Sequence, residues 1–542
     1  MPDSSVARGR RTGRSAPPEG TPMTWQREVD ELRRRHAMAE AMGGPEGEKR
    51  QRTRGKLLVR ERLDMLVDPG SFQQMGKLAG HAEYDADGNL TAFTPGSRLR
   101  GVAKINGRRV WVQANDFSVR GASGHDDDGG VDIGHGHPDA LELRLPAVFL
   151  IDTAGGSVNE YNELGRTYIP DGPEYSESIS NQLSLAPVVS VVLGPAAGGA
   201  APLPPLAHFS VMAKGTGQVF PGGPPVVKAA LGIDIDKEDL GGWRIHTRVS
   251  GVVDNAAEDE ADAIAQTKRF LSYLPDNVWQ MPPRGDTSDD PNRRDERLLS
   301  LVPRDIRRVY DPYVMIEGVF DTGSFFEIAP DYGRSRVIGL ARAHGYPIGV
   351  ITSNPRYQGG SMNTAAAEKS TRLVQLCDTF HIPVVILLDE PGFQVGVDSE
   401  KQGVERAGAR LMHAMLQSKM PWVSIILRRT FGLAGGIQYR AGPHLYRRYA
   451  WVSGRWGSMH IEGGTDAAFR RVIAEAPDPD AKRAEIEEGL RRLTSPFRTA
   501  EASGLDLIDP RETRSLLCDF VDMAQGVIKT QLGPGVGPTY RP

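Results

Sequence analysis

Two loops of small residues in this sequence could do chemistry with no side chain at all. In PVVSVVLGPAAGGAAP (residues 187–202) a valine-rich apolar stretch passes Gly194 and Pro195 and reaches Gly198–Gly199 among alanines. In PWVSIILRRTFGLAGG (421–436) a similar stretch reaches Gly432, Leu433, Ala434, Gly435 and Gly436. A buried strand that opens onto such a patch lets a ligand touch the backbone. Two successive amides at a helix start have no intrahelical acceptor and can hold negative charge. Aimed at a carbonyl oxygen that gathers charge in a transition state, each N–H contributes about 3–4 kcal/mol. The alternative for each glycine is close packing of strand on helix. Recurrence of the loop at equivalent places favours the site. Each loop also has a companion: AVFLIDTAGG (147–156) carries Asp152, Gly155 and Gly156, and VVILLDEPGF (384–393) carries Asp389 and Gly392. Loops at the carboxyl ends of strands are where α/β sheets collect ligands.

The elements that must position these loops occur twice. GRRVWVQANDFSVRGAS (107–123) resembles GYPIGVITSNPRYQGGS (345–361), and the two pairs of stretches above resemble each other in the same order. The three offsets lie between 234 and 238 residues, which is a duplication of a whole domain rather than a solenoid repeat. Buried strands alternate with helical segments such as AAAEKSTRLVQLCDTF (365–380), the pattern of a mixed or parallel α/β sheet. MPPRGDTSDDPNRRDER (281–297) is polar and almost free of apolar residues, and reads as a linker. The expected division is a disordered leader over 1–23, a first domain over 24–280, a linker over 281–298 and a second domain over 299–542. A buried strand is expected over 187–193, with a turn at Gly194–Pro195. One helix is expected over 24–42. A second, very basic one is expected over 48–72, ending at Asp68-Pro69-Gly70. Its cations form either a solvated surface or a landing site for a phosphate-bearing ligand.

Composition bounds the partners. The 542 residues carry a formal net charge of -4, from 65 Lys+Arg and 69 Asp+Glu, which gives no global attraction to nucleic acid. No apolar run approaches the ~20 residues needed to span a bilayer. Two cysteines, Cys377 and Cys518, suggest no disulfide framework and fit a reducing cytoplasm.

With these motifs in place, the chain resembles the carboxyltransferase (β) subunits of biotin-dependent acyl-CoA carboxylases, of the propionyl-CoA and methylcrotonyl-CoA type. The resemblance runs over nearly the whole chain after the leader. It is carried by RGKLLVRERLDMLVDPGSF (54–72), GPAAGGA (194–200), DLGGWRIHTRVSGVVD (239–254), LCDTFHIPVVILLDEPGFQVGVDSE (376–400) and RRTFGLAGG (428–436). It implies two crotonase-like domains of β-β-α superhelical repeats, with a site between the first domain of one subunit and the second of its partner. By resemblance, Gly198 and Gly199 face the acyl thioester oxygen, and Leu433 and Ala434 face the biotin carbonyl. Gly155, Gly156, Gly436, Arg54 and Lys56 fall on the acyl-CoA side, with Arg60 and Arg62 as further basic candidates. Gly392, Phe393 and Gly432 fall on the biotin side. Carboxybiotin would arrive on a carrier protein and release CO2 in a dry cleft, and the biotin left behind would take the acyl α-proton. No protein general base is then required.

The chain has no AMKM-type biotinylation sequence and no Walker loop, so biotin carboxylase and carrier functions are expected in partner subunits. A homo-oligomer is implied, trimers of dimers being the family's usual state. RGASGHDDDGGVDIGHGHPD (120–139) departs from the family pattern. His125, Asp126, Asp128, His135 and His137 are metal-ligand types there, but their spacing fits no metal motif and no metal is expected. His246 is expected to hydrogen-bond within a packed loop. Lys228 is either near the cofactor entrance or a plain surface lysine. Gly436 leaves volume for a bulky or branched acyl group. Two other functions fit the same residues: a decarboxylase subunit running the transfer backwards, and a non-catalytic scaffold that binds acyl-CoA or a carrier.

Overall fold

In this computed structural model the described residues are 24–123, 138–167, 179–439, 442 and 444–535. The leader and the Asp/His-rich stretch 125–137 lie outside them. The first half contains β1 (Gln73–Met75), β2 (Gly80–Tyr84), β3 (Leu90–Pro95), β4 (Arg98–Ile105), β5 (Arg108–Asn115), β6 (Ala147–Thr153), β7 (Val188–Ala197), β8 (Phe209–Ala213), β9 (Gln218–Phe220) and β10 (Asn255–Ala257). The second contains β11 (Phe326–Ile328), β12 (Arg336–Ala343), β13 (Tyr346–Ser353), β14 (Val384–Glu390), β15 (Trp422–Phe431), β16 (Tyr446–Trp451), β17 (Arg455–Gly457) and β18 (Asp506–Ile508).

The duplication is explicit in the pairing. One sheet runs β1-β4-β5-β6-β7-β8-β10 with β9 on β7, and the other runs β11-β12-β13-β14-β15-β16-β18 with β17 on β15. In both, the first two pairings are antiparallel and the rest parallel. The strands β2 and β3 form a separate hairpin. Every residue of β6 and of β14 is buried. Parallel strands covered on both faces are apolar throughout, which is why these stretches read as unbroken runs. The two halves are crotonase-like domains.

One hydrophobic cluster spans both halves, and each half has a further cluster of its own. Phe209 of β8 stacks on Phe270 at 4.8 Å, and Phe326 of β11 meets Phe209 edge-on at 5.3 Å. Asn255 in β10 takes the Ala329 N–H at 2.9 Å and donates to Glu327 O at 3.1 Å. The helix expected over 365–380 spans Thr364–Thr379, and Asn363 caps it by accepting the Ala366 N–H.

Two expectations are corrected. The basic helix over 48–72 is two helices, Gly44–Thr53 and Val59–Leu66, separated by Gly55 at φ +71°. A left-handed glycine ends the first helix and redirects the chain. The strand over 187–193 does not turn at Gly194–Pro195 but continues to Ala197, because its tail pairs with β9. The polar stretch 281–297 packs on the second half. Arg342 donates to Pro283 O at 2.9 Å, and Arg514 donates to Asp290 O at 2.8 Å and Asp289 O at 3.1 Å, so carbonyls of this stretch are fastened to the second half.

Candidate active site

The loops at the ends of β6 and β7 meet. Gly155 has φ +82°, and a Cβ there would lie 2.8 Å from Ala197 O, so only glycine fits. Gly198 has φ +59°, and its Cβ position is 3.8 Å from Gly155 Cα and Gly156 N. A Cβ on Gly199 would meet nothing within 4 Å. The sequence-expected Gly155, Gly156, Gly198 and Gly199 are therefore one cluster, with Gly199 on its open side. In the second half the helix Gly432–Gln438 starts directly after β15. Gly392 (φ +126°) and Gly432 (φ +60°) repeat the left-handed conformations of Gly155 and Gly198. The amides of Leu433 and Ala434 lie in the first turn, where an α-helix supplies no acceptor. Leu433 projects its side chain outward at 62% exposure while Ala434 is buried, and a Cβ on Gly436 would meet nothing within 4 Å.

A carboxylate sits beneath each pair of loops, at a break in strand register. Asp152 falls where the β6–β7 register shifts, and Asp389 where the β14–β15 register shifts. Asp152 receives Lys56 Nζ at 2.7 Å, Arg62 at 2.9 Å and Gln51 at 3.1 Å. Arg62 also reaches Glu260 at 2.6 Å. Asp389 receives Arg428 at 2.8 Å and Arg429 at 2.6 Å, and Arg429 continues to Gly359 O. Burial alone would raise Asp389, but the Arg429 and Arg428 guanidiniums overcome it and hold the carboxyl below its ordinary range. Burial depresses the Lys56 ammonium, against the pull of Asp152.

This corrects two basic candidates. Lys56 is 4% exposed and Arg62 1% exposed, and both are committed to Asp152 inside the fold. Neither is a surface charge or available to a phosphate. Arg54 stays at the surface, its guanidinium 5.0 Å from the Phe117 ring. His246 behaves as a packed-loop residue, with Nε2 bonded to Val219 O at 2.8 Å and Nδ1 3.0 Å from Ser250 Oγ, and burial lowers its pKa. Lys228 is an exposed lysine paired with Asp234. The Phe393 ring packs on Gly408, whose Cβ would lie 2.5 Å from it, so this side chain pins the loop to the helix Val404–Gln417.

Sequence reasoning missed the supports. Thr153 Oγ1 accepts the Gly155 N–H at 3.1 Å, and its duplicate Glu390 accepts the Gly392 N–H at 3.0 Å. His460 donates to Pro391 O at 2.7 Å while its ring lies 4.0 Å from that of Phe431. The Arg428–Arg429 pair was the one visible signal, since two cations on a buried strand demand a buried anion. Among the described residues no group of three or more His, Cys, Asp or Glu is placed to hold a metal, and no helix is long and apolar enough to cross a membrane.

Known proteins resemble this chain over most of its length. Residues 50–527 match the carboxyl transferase domain. The chain is 32% identical over 521 residues to the propionyl-CoA carboxylase carboxyltransferase subunit of Haloferax mediterranei, covering 94% of this chain and 98% of that one. It is 31% identical over 509 residues to the methylmalonyl-CoA decarboxylase subunit alpha of Veillonella parvula, covering 92% and 96%. Among solved structures, the transcarboxylase 12S hexamer with methylmalonyl-coenzyme A bound superposes with a TM-score of 0.83 at 28% identity, covering 97% of this chain and 99% of that one.

Proposed function

The chain belongs to the carboxyl transferase family and is a carboxyltransferase subunit of the acyl-CoA carboxylase type; from that premise we propose which backbone groups carry the transfer of a carboxyl group between biotin and an acyl-CoA. Gly198 and Gly199 hold the acyl thioester oxygen. As the α-proton leaves, negative charge gathers on that oxygen, and two aimed N–H groups stabilise it before the new carbon–carbon bond forms to CO2. Leu433 and Ala434 do the same for the carbonyl oxygen on the biotin side, where Gly392 and Gly432 shape the approach. Biotin supplies the carried carboxyl group. The chain's own residues orient the two carbonyls, exclude water and offer N–H donors.

The observation that carries this reading is the repeated geometry. Left-handed glycines stand at Gly155 and Gly198, and again at Gly392 and Gly432, at the same strand ends of two matching sheets. Packing alone does not ask for Gly199, because a side chain there would meet nothing. The stretch 281–298 then divides an acyl-CoA half from a biotin half. Biotin is brought on a separate carrier subunit, charged by a biotin carboxylase, and the chain works as a homo-oligomer, in line with the hexamer assembly of the transcarboxylase 12S protein. The two buried, unpaired cysteines fit a reducing compartment, and we assign the chain to the cytoplasm. The open space at Gly436 fits a bulky or branched acyl group. The Veillonella relative, a decarboxylase subunit, gives the reverse direction a specific basis.

The test is transfer of labelled carboxyl from a carboxylated biotin carrier to acetyl-, propionyl- and longer acyl-CoA by the purified chain. Labelled carboxyacyl-CoA is the expected product. Binding of CoA esters with no label exchange overturns the reading in favour of a scaffold. Net flow only from carboxyacyl-CoA to biotin reverses the direction.

A further inference from the structure

Gln438 closes the helix that carries the Leu433 and Ala434 amides, and its side chain turns back beneath it. Its Nε2 donates to Ala434 O at 2.8 Å and to Glu390 Oε2 at 2.9 Å. Glu390 has no solvent exposure, and its Oε1 accepts the Gly392 N–H at 3.0 Å. Arg336, itself 1% exposed, donates to Glu390 Oε2 as well. One carboxylate thus touches both loops of the biotin side. It hooks the turn after β14 through a backbone N–H, and it reaches the helix after β15 through Gln438.

The first half shows what this adds. Thr153 stands at the position of Glu390 and makes the same hook to Gly155, but its hydroxyl then donates to Ala122 O. It is too short to cross to the neighbouring loop. A serine hook is shared by both halves: Ser190 Oγ donates to Leu203 O in the loop after β7, and Ser424 Oγ donates to Gln438 O at the end of the helix after β15. Among the described residues, the second half alone has a side-chain link between its two loops.

We propose that Glu390, acting through Gln438, is a positioning residue that fixes the Leu433–Ala434 amides relative to the Gly392 turn. Three donors converge on it: a backbone N–H, an amide and a guanidinium. An ionised carboxylate accepts all three, and charge-assisted bonds of this kind are shorter and stronger than neutral ones. Gln438 Oε1 and Arg336 Nε are buried without a partner, so the hold on the loops comes from the bonds that meet at the carboxylate itself. Replacing the carboxylate by an amide turns one acceptor into a donor facing other donors. A misplacement near 1 Å costs on the order of 100-fold in rate when donors must be aimed.

The inference rests on the proposed transfer reaction, so its experiment has two readouts. Gln438→Leu and Glu390→Gln are compared with the wild-type chain in steady-state transfer from a carboxylated biotin carrier to acyl-CoA, and in amide hydrogen exchange of the peptides spanning 430–439 and 194–202. The expected result for Gln438→Leu is a kcat lower by about 10- to 100-fold, with KM for acyl-CoA within about twofold of wild type. Exchange should be faster in 430–439 and unchanged in 194–202. Glu390→Gln should show the same split. If Glu390→Gln does not fold, Gln438→Leu decides alone. An unchanged kcat in folded Gln438→Leu overturns the proposal, and so does a loss that moves KM for acyl-CoA and kcat together. If the wild-type chain transfers nothing, the functional reading fails. Exchange then decides the link: faster exchange in 430–439 upholds it and unchanged exchange overturns it.

Discussion

Lys56 reaches Asp152 at 2.7 Å through space that exists only because residue 194 is glycine. A Cβ on Gly194 would lie 1.9 Å from Asp152 Oδ1 and 2.6 Å from Lys56 Nζ. In the duplicated half the same strand position is Arg428, which neutralises Asp389 of β14 from the neighbouring strand β15. The two halves solve one problem, a buried carboxylate under a ligand loop, with cations from different places in the chain. Removing one partner of a buried ion pair costs about 3–5 kcal/mol. Because Arg62 remains on Asp152, Lys56→Met is expected at the lower end, roughly 3 kcal/mol. The check is the midpoint of thermal or denaturant unfolding together with KM for acyl-CoA. A lowered midpoint with KM unchanged fits the buried role. An unchanged midpoint with a raised KM would return Lys56 to the phosphate-binding role.

Gly194→Ala should produce a similar loss without removing a charged residue. The added methyl must displace either the carboxylate or the ammonium, and overpacking of a dense interior costs about 1–3 kcal/mol even before the ion pair is disturbed. Gly199→Ala is the control: its Cβ position is open, so a change below about 0.5 kcal/mol is expected. Equal unfolding midpoints for the two variants would contradict the packing described at Gly194.

His208 makes stability depend on pH. Its Nδ1 accepts the Val188 N–H at 3.0 Å, which leaves the proton on Nε2 to donate to Leu183 O at 3.0 Å. The ring meets Phe380 edge-on at 4.8 Å. Burial first, and then the nearby Arg372 charge, push its pKa down to about 3 from an ordinary 6.5. Below pH 6.5 the unfolded chain therefore takes up a proton that the folded chain refuses. The stability of the neutral ring is complete above pH 6.5 and is lost as pH falls toward 3. The slope approaches about 1.4 kcal/mol per pH unit. Unfolding midpoints between pH 7 and 5 should fall for the wild type and fall less steeply for His208→Gln. Parallel slopes would remove His208 as the cause.

Gly436 should set acyl size. Gly436→Ile adds a branched side chain where a Cβ meets nothing within 4 Å, so the fold should persist. Each methylene a pocket can no longer accept is worth about 1–3 kcal/mol of discrimination. The ratio of kcat/KM for longer acyl-CoA to that for acetyl-CoA should drop by about tenfold or more. An unchanged ratio would place the acyl chain elsewhere.

Much of this was legible in the sequence because it depends on local pattern. Unbroken apolar runs gave β6, β7, β14 and β15, and their spacing gave the duplication. The glycine loops were visible because left-handed and crowded backbone positions leave a compositional mark. What escaped reading depends on where distant residues meet. Gly55 looked like one residue within a helix, yet its positive φ breaks that helix and sends Lys56 inward. Gly194–Pro195 looked like a turn, but pairing with β9 keeps the strand extended to Ala197. Glu390 and Gln438 are 48 residues apart, and no local rule links them. The linker composition of 281–297 carried no sign that its backbone carbonyls are held by Arg342 and Arg514.

The central claim, that backbone donors of Gly198 and Gly199 stabilise the acyl enolate, is tested most directly at Gly199. The measurement is ATP-dependent fixation of labelled bicarbonate into acyl-CoA by the chain assembled with a biotin carboxylase and carrier, for the wild type and Gly199→Val. The account predicts fixation by the wild type and a rate lower on the order of 100-fold in the variant, at an unchanged unfolding midpoint. A folded Gly199→Val that fixes bicarbonate at the wild-type rate would contradict it.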